Sequence, residues 1–71
     1  MYYVYILKKN NKFYIGYTEN LKRRLKQHQL KMDVSLIYYE SYSSKNLAIS
    51  RENKLKSYGS AWRALRNRII A

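Results

Sequence analysis

Cysteine is absent from this 71-residue chain, which excludes both a disulfide framework and a thiolate metal site as ways of stapling so short a sequence. Packing must hold the core alone, and a chain of this length buries only about 60% of the surface its unfolded form exposes, so modest stability is expected. Long apolar runs are missing too. The longest, Met1 to Leu7, falls far short of the roughly 20 residues of a membrane span. It also lacks the basic flank and small-residue cleavage site of a secretory signal. The expectation is a cytoplasmic protein with no membrane partner. Acidic residues are the third scarcity: there are four Asp and Glu in all, so any metal site has very few carboxylates to draw on.

Against those four stand 15 Lys and Arg, a formal net charge of +11. Such an excess on a small domain attracts polyanions, nucleic acid first among them. Charge alone does not imply catalysis, because ribosomal proteins, membrane-surface proteins and small toxins are also basic. A catalytically silent nucleic-acid-binding module and a basic structural protein therefore stand beside an enzyme as readings of the composition.

No repeat, low-complexity tract or linker interrupts the chain, and residues 1–71 read as a single domain. Tyr2 to Leu7 and Phe13 to Tyr17 are rich in β-branched and aromatic residues, with polar Lys8 to Lys12 between them. This pattern predicts a β-hairpin. Thr18 or Asn20 can cap a following helix in which Leu21 and Leu25 share a face, a pattern that runs to about Leu30. Val34 to Tyr39 predicts a third strand, with Leu36 and Tyr38 on one face and Ile37 and Tyr39 on the other. Ser43 or Ser44 caps a second helix carrying Leu47, Ala48 and Leu55 inward, and Gly59 is placed to end it in a left-handed conformation. A short basic third helix follows with Trp62, Leu65 and Ile69 as its stripe. The whole predicts an α+β fold, a small three-stranded antiparallel sheet flanked by helices.

On the first helix Arg24 and His28 are four residues apart and project from nearly one face, where both could reach one phosphate. Tyr14-Ile15-Gly16 ends a strand just before that helix. A glycine there lets the backbone approach a ligand or another chain closely, and a tyrosine hydroxyl is expected near Arg24. Glu52 lies one turn after Ala48 at the border of an apolar face, an odd place for a charge unless it is paired or bound to metal. Glu19, Asp33 and Glu40 are the other acids open to a metal. Tyrosine and histidine to activate water, arginine to hold phosphate and one carboxylate to anchor magnesium are the residue types of metal-assisted phosphodiester hydrolysis.

Together these residues resemble the GIY-YIG nuclease family in its small stand-alone form. Tyr3-Val4-Tyr5 is similar to the first signature and Tyr14-Ile15-Gly16 to the second. Tyr17 to His28 is similar to the helix that follows, and Ala48 to Lys56 to the metal-binding helix, so the likeness spans nearly the whole chain. The resemblance implies that Tyr5 and Tyr14 are the active-site tyrosines, Arg24 the phosphate-binding arginine, His28 the residue at the histidine-or-tyrosine position and Glu52 the metal carboxylate. It further implies an endonuclease dependent on Mg²⁺ or Mn²⁺, acting on DNA rather than RNA, with room for an oligomer or partner protein. Tyr3 stands where the signature often has glycine, and the stretch between His28 and Leu36 is shorter than in relatives. Asn67 is left outside the site.

Overall fold

The computed structural model describes residues 1–70. Strand β1 (Tyr2–Lys9) turns through Asn10 and Asn11 into β2 (Lys12–Thr18), followed by α1 (Leu21–Lys31), β3 (Ser35–Tyr42), α2 (Lys45–Ser57) and α3 (Gly59–Ile70). The hairpin closes with Lys9 opposite Lys12. Its tightness requires a left-handed residue, and Asn10 supplies it at φ 56°, a conformation that asparagine tolerates better than most residues. The sheet is antiparallel, in the order β2-β1-β3.

Because side chains alternate along β1, the central strand contributes to two cores. Val4 and Ile6 face α2 and α3 and pack with Ala48, Leu55 and Leu65. Tyr5 and Leu7 face the other way and pack with Val34 and the half-buried Leu21 and Leu25 of α1. One helix thus covers one face and two cover the other.

The strands and helices match the expected α+β architecture, with three local corrections. A register shift in the β1–β3 pairing leaves Ile37 as an extra residue, so Leu7 pairs Leu36 and Ile6 pairs Tyr38. Leu36 and Tyr38 consequently lie on opposite faces, and Ile37 packs with Tyr38; a bulge reverses the alternation that a sequence pattern assumes. Leu47 is 54% exposed and Leu30 83% exposed, since the inward faces of their helices are set by Ala48 and Leu55 and by Leu21, Leu25 and His28. Gly59 is not left-handed; the extended residue Tyr58 caps α2 and Gly59 opens α3. Of the two expected caps for α1, Asn20 takes the role, its Oδ1 accepting from the Arg23 N–H at 3.0 Å. Thr18 Oγ1 in turn accepts from the Asn20 N–H. Ser44 precedes α2 without a side-chain cap bond.

On the α2 face, β3 carries Tyr38, Glu40 and Tyr42 in one row. Both tyrosine hydroxyls donate to Glu40, and Arg51 of α2 adds two bonds from Nε and Nη2 at 3.0 and 3.1 Å. Arg68 of α3 donates to the Tyr38 hydroxyl at 3.2 Å. Burial disfavours the Glu40 carboxylate, but its hydrogen bonds from Arg51, Tyr42 and Tyr38 more than offset this and hold its pKa below the ordinary value. Burial and the adjoining carboxylate push Tyr42 up to about 12.

The linkage follows in sign. The Glu40 contribution is present above the ordinary carboxylate pKa and is lost as pH falls through the lowered one. The Tyr42 contribution is present below the ordinary tyrosine pKa and is lost as pH rises towards about 12. Glu40→Gln is expected to lower stability by about 1–3 kcal/mol at neutral pH, leaving Arg51 without a charged acceptor. It should also flatten the acid limb of a plot of Tm against pH; a variant with the wild-type acid limb would show that Glu40 does not carry it.

Candidate active site

The site begins with a missing side chain. Gly16 on the edge strand pairs with Tyr5 on the central strand, and a Cβ built on Gly16 would lie 2.5 Å from the Tyr5 hydroxyl oxygen and 2.7 Å from Cζ. The tyrosine ring therefore lies across the glycine, directing its hydroxyl towards the β2 edge. The close approach anticipated at this glycine is real, and what approaches is Tyr5 of the same chain.

Helix α1 meets that hydroxyl. Leu21 and Leu25 anchor the helix on the sheet, and His28 continues the same stripe, bringing Nε2 to 3.2 Å from the Tyr5 oxygen. The two rings lie 5.9 Å apart at a tilt of 59°. Burial raises the Tyr5 pKa; Arg24, one turn before His28, pulls it down, and Glu52 pushes it further up. Tyr5 is thus a neutral hydroxyl at neutral pH, lying within electrostatic reach of both a guanidinium and a carboxylate.

Glu52 arrives from the opposite face of the sheet. On α2 it shares a side with Ala48 and Leu55, which are buried, and its own side chain is only 14% exposed. Its ion-pair partner is Lys56, one turn on, with Nζ 3.3 Å from Oε2. Tyr14 lies beside Tyr5 and His28 in one cleft at this edge. Tyr5, Tyr14 and His28 thus share the cleft at the β2 edge, while exposed Arg24 and half-buried Glu52 influence Tyr5 electrostatically from beside it, so the five residues come from four elements, β1, β2, α1 and α2. One detail differs from expectation: the hydroxyl that senses Arg24 is that of Tyr5.

A divalent cation would find few carboxylates to draw on here. Among the described residues no three His, Cys, Asp or Glu side chains group as a metal cage, so a closed protein site is excluded. Glu40 is filled by its four hydrogen bonds, and Glu19 and Asp33 are exposed. A single half-buried carboxylate held by one labile lysine suits Mg²⁺ or Mn²⁺, which keeps most of its water shell. Of the four acids, Glu52 is the one whose surroundings would suit such an ion.

The Glu40 cluster was not evident as a unit from the sequence. Its signal is the alternation Tyr38-x-Glu40-x-Tyr42, a carboxylate between two tyrosines on one strand face. Arg51 adjoins Glu52, so the clamp that fixes Arg51 to β3 also fixes the segment of α2 that presents Glu52.

The structure thus presents a three-stranded sheet with a tyrosine–histidine pair against a basic helix and a lone glutamate across the edge. Residues 1–67 match the family described as the GIY-YIG catalytic domain, and the chain belongs to the GIY-YIG family. It is 37% identical over 67 residues to a UPF0213 protein of Staphylococcus haemolyticus, covering 80% of this chain and 82% of that one. A UPF0213 protein of Natronomonas pharaonis is 32% identical over 80 aligned positions, covering 99% and 91%. One from Clostridium perfringens is 39% identical over 66, covering 79% and 71%. No solved structure matches the chain. Membership implies a nuclease domain acting on nucleic acid. No helix among the described residues is long and apolar enough to cross a membrane.

Proposed function

We propose that this protein is a divalent-metal-dependent endonuclease that hydrolyses phosphodiester bonds in DNA through Tyr5, Tyr14, Arg24, His28 and Glu52. The observation that carries the reading is the Tyr5–His28 contact of 3.2 Å, in electrostatic range of both Arg24 and Glu52. With the histidine proton on Nδ1, the Tyr5 O–H donates to Nε2. Tyr5 can then take a proton from an attacking water while passing its own to His28, so no tyrosinate need exist beforehand. This suits a hydroxyl whose pKa is raised. Arg24 holds a non-bridging phosphate oxygen as charge grows on it. Tyr14 lines the same cleft and orients the water or phosphate. Glu52 would hold a divalent cation together with water, and such an ion would supply Lewis-acid polarisation of the phosphate and charge for the departing oxygen. The net charge of +11 supports a polyanionic substrate.

The Glu52–Lys56 ion pair favours the alternative, a binding module in which the carboxylate is merely neutralised. Incubation with labelled duplex, branched and single-stranded DNA and RNA, in Mg²⁺, Mn²⁺ or EDTA, decides between them. Cleavage of DNA suppressed by EDTA is expected; binding without cleavage of any substrate would leave the module. Arg24→Ala is expected to slow single-turnover cleavage by about 10²- to 10³-fold, as loss of a preorganised transition-state contact does. Arg23→Ala, also removing one cation from α1, should cost little. Equal rates for the two variants would reduce Arg24 to a part of the basic surface.

A further inference from the structure

The cleft at the β2 edge extends beyond the residues that the hydrolysis uses. It has a volume of about 530 Å³ and runs from Tyr5, Tyr14 and His28 to Phe13, Lys56 and Trp62, within the range of roughly 300–1,000 Å³ typical of small-ligand sites. Phe13 and Trp62 form its far wall, their centroids 5.2 Å apart and their planes at 61°. Both are half-buried, packing on the core with one side and lining the cleft with the other. Cations adjoin Phe13: Lys8 Nζ and the Arg66 guanidinium lie over its ring, 5.8 and 5.5 Å from the centroid, and Lys56 lines the cleft.

We propose that the Phe13–Trp62 wall is a nucleobase-stacking subsite, taking an unpaired base of the strand beside the scissile phosphate. The inference rests on the nuclease reading and adds a substrate class to it. An aromatic wall with cations against Phe13 and, among the described residues, none against the Trp62 ring meets the two surfaces a single strand offers, a π-face and a phosphate. A base in intact duplex presents only its edge, and reaching this wall would require it to leave the stack. The cleft is continuous with Tyr5 and His28, so the base it holds belongs to a nucleotide next to the cut. Strands already unpaired there are the favoured substrates.

Trp62 is the only tryptophan, so its emission reads the subsite without any cleavage. The probes are an oligothymidylate, an abasic strand of equal length and a blunt duplex, titrated in EDTA into the full chain carrying Glu52→Gln. Oligothymidylate should quench Trp62 and bind about tenfold more tightly than the abasic strand, a typical gain for one stacked base. The duplex should bind without that quenching. Phe13→Leu, which keeps an apolar side chain against the core, should erase the tenfold difference while preserving abasic-strand affinity and its salt dependence. Equal affinity and equal quenching by the thymidine and abasic strands would overturn the subsite, and measuring both in protein with native Phe13 and Trp62 removes any dependence on variant folding. Mg²⁺-dependent cleavage by the wild type alongside that result would sink the subsite and keep the nuclease. Base-dependent quenching with no cleavage of any substrate would support the stacking wall and sink the nuclease.

Discussion

Glu52→Gln is expected to lower single-turnover cleavage by about 10²-fold or more while leaving nucleic-acid binding as tight as in the wild type, or tighter. The substitution keeps the shape of the side chain and removes the carboxylate proposed to hold the metal. It also frees Lys56, whose ammonium lies 3.3 Å from the native carboxylate, to meet phosphate. Stability should hardly change, because an ion pair with an exposed lysine contributes about 1 kcal/mol or less. Binding measured in EDTA separates affinity from chemistry. A variant that cleaves at the wild-type rate in Mg²⁺ would show that Glu52 serves only as the partner of Lys56.

Gly16→Ala should be nearly as damaging, and through a different route. Its added Cβ would fall 2.5 Å from the Tyr5 hydroxyl oxygen, closer than atoms can stand, so the tyrosine ring must swing and its contact with His28 must break. Misplacing a catalytic group by about 1 Å can cost roughly 10²-fold in rate. The backbone itself has no objection, since Gly16 is not in the left-handed region, and replacing glycine where the conformation suits alanine gains about 0.4–1 kcal/mol from the unfolded chain. Displacing a buried ring costs about 1–3 kcal/mol, which outweighs that gain, so the expected result is a slow enzyme with a somewhat lowered Tm. In a Tyr5→Phe background the alanine should cost almost nothing more in rate, because the hydroxyl it displaces is already gone. Full additivity of the two losses, or a Gly16→Ala variant as fast as the wild type, would disprove the proposed role of this packing.

Much of this is legible in the sequence, for identifiable reasons. The i, i+4 spacing of Leu21 with Leu25 and of Arg24 with His28 fixes which side of α1 meets the sheet. A glutamate on the apolar side of α2 announces itself by its cost. Pairing is harder to read. That His28 meets Tyr5 depends on strand register and on Tyr5 lying across Gly16, neither of which leaves a periodic trace. The bulge at Ile37 is invisible for the same reason: one extra residue inverts the faces of what precedes it without changing composition. Leu47 misleads because it adjoins Ala48, and helix rotation is settled by the pair Ala48 and Leu55 together. Gly59 misleads because its usual role as a left-handed terminator is only one of its uses; here it begins a helix.

Helix α1 carries two of the five proposed site residues yet contains no fully buried residue. Its hold on the sheet comes from the half-buried Leu21 and Leu25, whereas α2 is fastened by buried Ala48 and Leu55 and by the Arg51–Glu40 clamp. Elements with few buried contacts detach at lower free energy than the whole molecule unfolds. The amides of α1 should accordingly exchange with solvent ahead of those of β1, and warming should silence the enzyme while the sheet is still intact. The weakest attachment in the molecule thus sets the temperature at which His28 leaves Tyr5.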